Sequence, residues 1–408
     1  MRLGKKIVLM MMLIVTTTVV AMVTYFGSAY LFSTGTLSKT FKTFEGEKTS
    51  EAVEKLEPFS VLLMGVDTGT AERSSTWEGN SDSMIVVTVN PDTQKITMTS
   101  LERDILVRLK GPESNPQNGQ EAKLNAAYAA GGAQMAMMTI EEMLDIDIDY
   151  YMQINMQGLV DLVNAVGGIT VTNSFDFPIS IAQNEPNYTA TVEPGTHLIN
   201  GDQALVYARM RYDDPEGDYG RQKRQREVIQ KVMQKVLKLG SSVTSYKKIL
   251  KAVAGNMQTD IKINSATIPR LLRYTDAAKQ IKEYQLRGED ANIGGGSYQI
   301  PTAKSLLTTQ NTIKEMLGKK KKTLEEMTTN VITYETLYGV TADISHLSGE
   351  TNTGYIGDTT VSNDFYPHPE PSYENQTPQT SPATNPAADT SGAEVTYKES
   401  LPNAEPTQ

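Results

Sequence analysis

The sequence predicts an α/β protein, an α-β-α layered sandwich around a central mixed sheet, preceded by one transmembrane helix. Three observations carry this expectation. From about residue 58 onward, short apolar runs of strand length alternate with segments whose apolar residues recur at helical spacing. Residues 7–32 carry no charge at all, over more than the roughly 20 residues needed to cross a bilayer. The 408-residue chain contains no cysteine, so a hydrophobic core rather than disulfides must hold the exterior part together.

The uncharged run reads as a membrane span. A cleaved signal peptide, with an apolar core of about 7–15 residues and a small-residue cleavage site, is the alternative that Gly27-Ser28-Ala29 keeps open. Arg2, Lys5 and Lys6 precede the run, which keeps the N-terminus in the cytoplasm and sends the remainder outside. The expected organisation is a cytoplasmic tip and anchor over 1–32, a polar stalk over 33–57, a main domain over 58–318, an extension over 319–361 and a tail over 362–408. The tail is rich in Pro, Thr, Ser, Asn and Glu with few aliphatic residues, a composition that predicts disorder.

The main domain opens with 60-SVLLMGVD-67, an apolar run of buried-strand character, then a Gly/Ser/Thr-rich loop and a second strand over 83–90. Pro91-Asp92 marks a turn, and 95-KITMTSLERD-104 alternates as a third strand. Residues 125–145 shift to helical spacing. A strand near 150–155, a helix over 157–166 ended by Gly167-Gly168, and a strand over 169–173 follow. A loop covers 174–198. In 205-LVYARMR-211 the residues Leu205, Tyr207, Arg209 and Arg211 share a face if the segment is extended. The next helix starts near Asp218 or Gly220 and puts Arg221, Gln225, Val228 and Val232 on one side. Segments 244–255 and 264–280 read as helical, 284–301 as strand, Gly-rich loop and strand, and 302–317 as a final helix. Lys319–Lys322 reads as a solvated helix end, with a membrane or polyanion contact as the alternative.

Charge and composition narrow the chemistry. A net charge of -10 disfavours nucleic acid, because binding a phosphate backbone needs a broad basic face. Of three histidines only His197 lies among the motifs, which argues against a Ser-His-Asp triad or a histidine metal site. Carboxylates and arginines remain. Arg209, Arg211, Arg221 and Gln225 can converge where a strand gives way to a helix N-terminus, a setting suited to phosphate or pyrophosphate. The alternative is surface ion pairing of these arginines with Asp213, Asp214, Glu216 and Asp218.

Asp67 ends the first strand, Asp82 precedes the second, and Glu102-Arg103-Asp104 ends the third, at the positions where α/β sheets bind ligands. Two carboxylates about 4 Å apart repel by roughly 4 kcal/mol at an effective dielectric near 20. A divalent cation would relieve that repulsion, and magnesium fits a site of one or two carboxylates that also accepts phosphate oxygens. For either aspartate alone, a turn or helix-cap role is the alternative.

Taken in order, GVDTG, NSDSM, LERD, KLNAAYAAGG, GDQALVYARMR and DYGRQKRQREVI resemble the LytR-CpsA-Psr family of bacterial cell-envelope proteins, over roughly residues 58–318. The resemblance implies a phosphotransferase outside the membrane of a Gram-positive-type bacterium. Such an enzyme takes a teichoic acid or capsular polysaccharide from an undecaprenyl-pyrophosphate carrier and joins it to peptidoglycan through a phosphodiester. It implies further that Asp67 and Asp82 hold Mg2+ and that Arg103, Arg209, Arg211, Arg221 and Gln225 grip the pyrophosphate. Asp218 and Asp104 would orient arginines, and one of them would help deprotonate the acceptor hydroxyl. Ala126, Ala129, Ala130, Met135, Met137 and Met138 could line a slot for the polyprenyl chain or could be plain core. Two departures stand out: Asn80-Ser81-Asp82 where the family usually has Arg-Ser-Asp, and Glu102-Arg103-Asp104 where it has Pro-Arg-Asp. The first removes a positive charge, which Arg73 could replace, and the second adds a negative one. The same residues could also serve a lipid pyrophosphate hydrolase or a non-catalytic binder of carrier lipid or wall polymer. Transcriptional control fits neither the exterior topology nor the acidic balance.

Overall fold

The computed structural model describes residues 40–44, 50–67, 77–238, 243–262, 267, 270, 272–275 and 281–339. The predicted span over 7–32, the Arg73 loop, most of the predicted 264–280 helix and the 362–408 tail lie outside them. Among the described residues no helix is long and apolar enough to cross a membrane.

The centre is a mixed sheet built from β1 (Phe59–Asp67), β2 (Asn80–Asn90), β3 (Lys95–Leu101), β6 (Tyr150–Asn155), β9 (Met257–Thr259) and β10 (Ile281–Leu286). Their order across the sheet is β10-β3-β2-β1-β6-β9. β1 runs parallel to β6 and β10 parallel to β3, while the β1–β2, β2–β3 and β6–β9 pairs are antiparallel. Small two-stranded sheets pair β4 (Leu106–Arg108) with β5 (Glu121–Lys123), β7 (Ile169–Asn173) with β8 (Gly195–Ile199), and β11 (Glu289–Ile293) with β12 (Gly296–Ile300). β8 falls at the end of the segment expected to be loop; its register with β7 matches Ile169 with Ile199 and Val171 with His197.

Alternation along the strands explains the layers. Leu62, Met64 and Val66 of β1, with Met84 and Val86 of β2, face α2 (Ala126–Leu144) and α7 (Ala303–Met316). Phe59 and Val61, with Ile85, Val89, Ile96 and Met98, face the other way onto α1 (Ala52–Lys55) and onto Ile229 and Met233 of α5 (Asp218–Lys238). Each such side chain, fully buried, contributes about 1.5–3 kcal/mol. A third cluster joins α3 (Met156–Ala165), β7, β8, α4 (Gly201–Arg209) and Val228 and Val232 of α5. The last helices are α6 (Val243–Val253) and α8 (Tyr334–Tyr338).

Segments flanking the main domain pack on it. Phe44 stacks on Tyr151 at 4.7 Å between centroids, Ala52 and Val53 are buried, and Val331 joins the α2 core. Lys319–Lys322 follow α7: Lys320 is 88% exposed, whereas Lys322 reaches Asp145 at 2.6 Å.

Helix α2 is broken at its sixth and seventh residues, Gly131 and Gly132. Gly132 takes φ +64, a conformation natural to glycine alone, so the chain changes direction before Ala133 enters the core. Met135 and Met137 beyond the kink are at most 2% exposed and packed in the α2 core, while Ala129 before it is exposed. The alanine–methionine stripe is therefore divided, and its two buried methionines pack in the core shared with β1 and β2.

The segment 205–211 is not a strand. Residues 205–209 belong to α4, which begins at an Asn200 N-cap: Asn200 accepts from the Gln203 backbone N–H at 3.0 Å, and Gln203 accepts from the Asn200 N–H at 3.1 Å. Ala204 to Ala208 are all buried, which an extended segment with one wet face would not require. Arg209 closes the helix and Arg211 lies two residues past it, and the two guanidinium groups meet different carboxylates, Asp67 and Glu185 for Arg209 and Asp218 for Arg211.

Candidate active site

The sheet brings several chain segments to one end. β1 and β3 run alongside each other with β2 reversed between them, so the last residue of β1, the first residues of β2 and the residues following β3 meet. Asp67 pairs in register with Asn80. The register slips there: Gly65 faces Ser83 and Val66 faces Ser81, so Asp82 is the extra residue of a β-bulge. Bulges re-aim a side chain, and this one turns the Asp82 carboxylate toward the residues after β3.

Asp82 Oδ1 accepts from Arg103 Nη1 at 2.9 Å. Arg103 Nε is 3.4 Å from Asp104 Oδ2, and Asp104 Oδ1 is 2.8 Å from Lys123 Nζ at the end of β5. Helix α5 closes the other side. Arg221 Nη2 donates to the Asp82 carbonyl at 3.3 Å and lies 2.7 Å from Asp218 Oδ1, which is also 3.8 Å from Arg211 Nη1. Arg209 Nη2 reaches Asp67 Oδ2 at 3.9 Å and Glu185 Oε2 at 2.8 Å. One network thus links Lys123, Asp104, Arg103, Asp82, Arg221, Asp218 and Arg211, with Asp67 and Arg209 alongside through the β1–β2 pairing.

Gln225 lies one helical turn beyond Arg221, with no aligned protein donor on its buried Oε1. Glu102 Oε1, Arg103 Nε, Asp218 Oδ1 and Arg221 Nε are likewise buried without an aligned hydrogen-bond partner. Buried polar atoms without an aligned partner are uncommon, and these five lie on or beside residues of the same network, or one turn beyond it.

Two contributors had no local signature in the sequence. Lys123 sits inside KLNAAYAAGG but acquires its role only because β5 lies against Asp104. Glu185 comes from the long loop before β8 and accepts three Arg209 bonds, at 3.3, 2.9 and 2.8 Å. Neither position follows a periodic pattern, so only the fold reveals it.

The turn between α4 and α5 is fixed from within. Arg224, 6% exposed, donates from Nε to the Tyr207 carbonyl at 2.9 Å and binds the Asp214 carboxylate and the Met210 carbonyl with its other nitrogens. Gly220 permits this: a Cβ there would come within 1.9 Å of Asp214 Oδ2. Asp213 and Glu216 are exposed, so the expected surface pairing of the arginines takes a different form: Asp214 serves Arg224 and Asp218 serves Arg221 and Arg211.

Glu102 corrects one expectation. The residue is buried, 2% exposed, with Asp218 beside it, so a negative charge there is opposed. Burial first, and the charge of Asp218 second, push its pKa up to about 9 against the opposing pull of Arg221.

Fold and site together define a mixed α/β protein with a cluster of arginines and aspartates where the carboxyl ends of β1 and β3 meet the start of β2. The chain belongs to the LytR_cpsA_psr family, whose profile matches residues 27–315. It is 63% identical over 339 residues to the Biofilm regulatory protein A of Streptococcus mutans, covering 83% of each chain. It is 42% identical over 321 residues to the Polyisoprenyl-teichoic acid--peptidoglycan teichoic acid transferase TagU of Enterococcus faecalis, covering 78% of this chain and all of that one. The crystal structure of protein gbs0355 from Streptococcus agalactiae superposes with a TM-score of 0.69 at 67% identity, covering 72% of this chain and 98% of the other.

Proposed function

We propose that this chain is a phosphotransferase that moves a glycopolymer of teichoic acid or capsular polysaccharide type from an undecaprenyl-pyrophosphate carrier to peptidoglycan. The carrying observation is the convergence of Arg103, Arg209, Arg211 and Arg221, from three separate segments, around two strand-end aspartates. The printed name of the Enterococcus faecalis relative supports the substrate class. The uncharged run over 7–32, preceded by Arg2, Lys5 and Lys6, supports a single-pass anchor with a cytoplasmic N-terminus and the catalytic domain outside, on a Gram-positive-type bacterium.

Phosphoryl transfer asks for positioning and for stabilisation of charge on the phosphoryl oxygens, with little covalent work by the protein. In the reaction an acceptor hydroxyl on peptidoglycan attacks the phosphorus that bears the glycan. The new P–O bond forms as the bridging P–O bond to the carrier phosphate breaks, and the carrier leaves as its monophosphate. Arg221 and Arg211, both directed by Asp218, and Arg103, directed by Asp82 and Asp104, receive the diphosphate oxygens in paired hydrogen bonds. Arg209, steadied by Glu185, completes the seat beside Asp67. Asp104, tied to Lys123, and Asp218 are the carboxylates available to take the hydroxyl proton.

The donor set fits magnesium. Among the described residues no group of three or more His, Cys, Asp or Glu could cage a metal, but two carboxylates, 31% and 28% exposed, stand at adjacent strand ends. That is the donor count expected of an ion that keeps waters and substrate phosphate oxygens. Asp67 and Asp82 would hold it, and it would supply charge neutralisation on the diphosphate. Chelation of divalent ions is expected to abolish transfer, and magnesium to restore it. Asp67→Asn and Asp82→Asn should each raise the magnesium concentration for half-maximal rate at least about tenfold. Transfer that survives chelation, with unchanged rates in both variants, would remove the metal from the account.

A further inference from the structure

Among the described residues Glu102 is a buried titratable group beside the arginine cluster that the transfer chemistry leaves without a task. It follows the last residue of β3, directly before Arg103, and lies beside the first turn of α5. Facing it from α5 are Asp218, Tyr219 and Arg221, and from its own segment Asp104 with the adjoining Arg103. Asp218 is already engaged on both oxygens: Oδ2 accepts from Gln222 Nε2 at 3.1 Å, and Oδ1 lies against Arg221 and Arg211. A second ionised carboxylate against it would compete for the same arginines and add negative charge beneath a seat meant for an anion.

We propose that Glu102 is a positioning residue, a neutral carboxylic acid that donates a hydrogen bond to Asp218 and so keeps that carboxylate directed at Arg211 and Arg221. The inference rests on the transferase reading for its catalytic consequence, though not for the proton itself. Ionisation of Glu102 loosens Asp218 and repels the diphosphate, so substrate binding fails at alkaline pH while the chemistry of bound substrate changes less.

The sign of the linked stability effect follows from the raised carboxyl. The folded state holds a proton that the unfolded chain releases near pH 4.5, so stability is full below that pH and declines until Glu102 ionises near 9. Glu102→Gln supplies a neutral donor of the same shape that cannot ionise. The test uses the full chain in mild detergent, parent and variant. In urea unfolding between pH 5 and 8.5, the parent's folding equilibrium constant should fall relative to that of the variant by about tenfold per pH unit. In transfer assays the two should have similar kcat near neutrality. The parent's KM for lipid-linked diphosphate should climb above pH 9, while the variant's stays flat to pH 10. Parallel urea curves would overturn the proposal whatever the activity, and a KM rise shared by both chains would overturn it as well. A glutamine variant that fails to fold also counts against it, since a neutral donor of that shape is what the site is said to hold. Loss of the transferase reading would instead show as no transfer by either chain with the urea difference intact.

Discussion

Arg221→Ala is expected to lower kcat/KM for glycopolymer transfer by about 10²–10³, the usual cost of removing one preorganised donor to developing charge. Arg221 is 6% exposed, and it contacts both the Asp82 backbone and the Asp218 carboxylate, so it joins the β2 bulge to helix α5. Arg221→Lys keeps the charge but loses the planar fork and should recover only a small part of the loss. Lys320→Ala serves as the control: Lys320 is 88% exposed in a 3.9 Å pair with Glu326 and should leave the rate unchanged. Steady-state kinetics with folded variants decide the matter, and an Arg221→Ala enzyme of parental efficiency would exclude this arginine from the diphosphate seat.

Arg224→Leu is expected to produce the largest loss of stability. Arg224 and Asp214 are each buried, with side chains 8% and 3% exposed, and removing one partner strands the other charge at a cost of about 3–5 kcal/mol. For a domain of this size the thermal midpoint should fall on the order of 10 °C. The double variant Arg224→Leu/Asp214→Leu should recover much of the loss, because no buried charge is then left alone. Thermal and urea unfolding of the three variants measure the cycle. Because the latch fixes the turn that carries Arg211, the single variant should also lose transfer activity, in contrast to Arg221→Ala, which is expected to remain folded.

Much of the architecture was legible in the sequence. The strand 60–67, the Pro91-Asp92 turn, the Gly167-Gly168 stop and the start of helix α5 at Asp218 all follow from periodicity and turn chemistry, and these elements carry Asp67, Asp218 and Arg221 to the cleft. What misled was 205–211, whose apolar and basic residues alternate well enough to imitate a strand. The deciding signal lay upstream in Asn200 and Gln203, a capping pair that commits the segment to a helix. The bulge that aims Asp82 was hidden, because it depends on how β2 lies against β1. Lys123 and Glu185 were hidden for a similar reason: their partners, Asp104 and Arg209, stand far away in sequence. The raised pKa of Glu102 was also beyond the sequence, which shows a carboxyl but neither its burial nor the Asp218 carboxylate beside it.

The central claim is that this cleft joins two molecules through a phosphodiester. The direct measurement incubates the full chain with a polyprenyl-pyrophosphate-linked glycan, a peptidoglycan oligomer and magnesium, and follows the glycan by mass spectrometry. The account predicts a covalent glycan–phosphate–peptidoglycan product with release of carrier monophosphate, and its disappearance in Arg221→Ala. Glycan released only into water, or carrier bound without turnover, would contradict it.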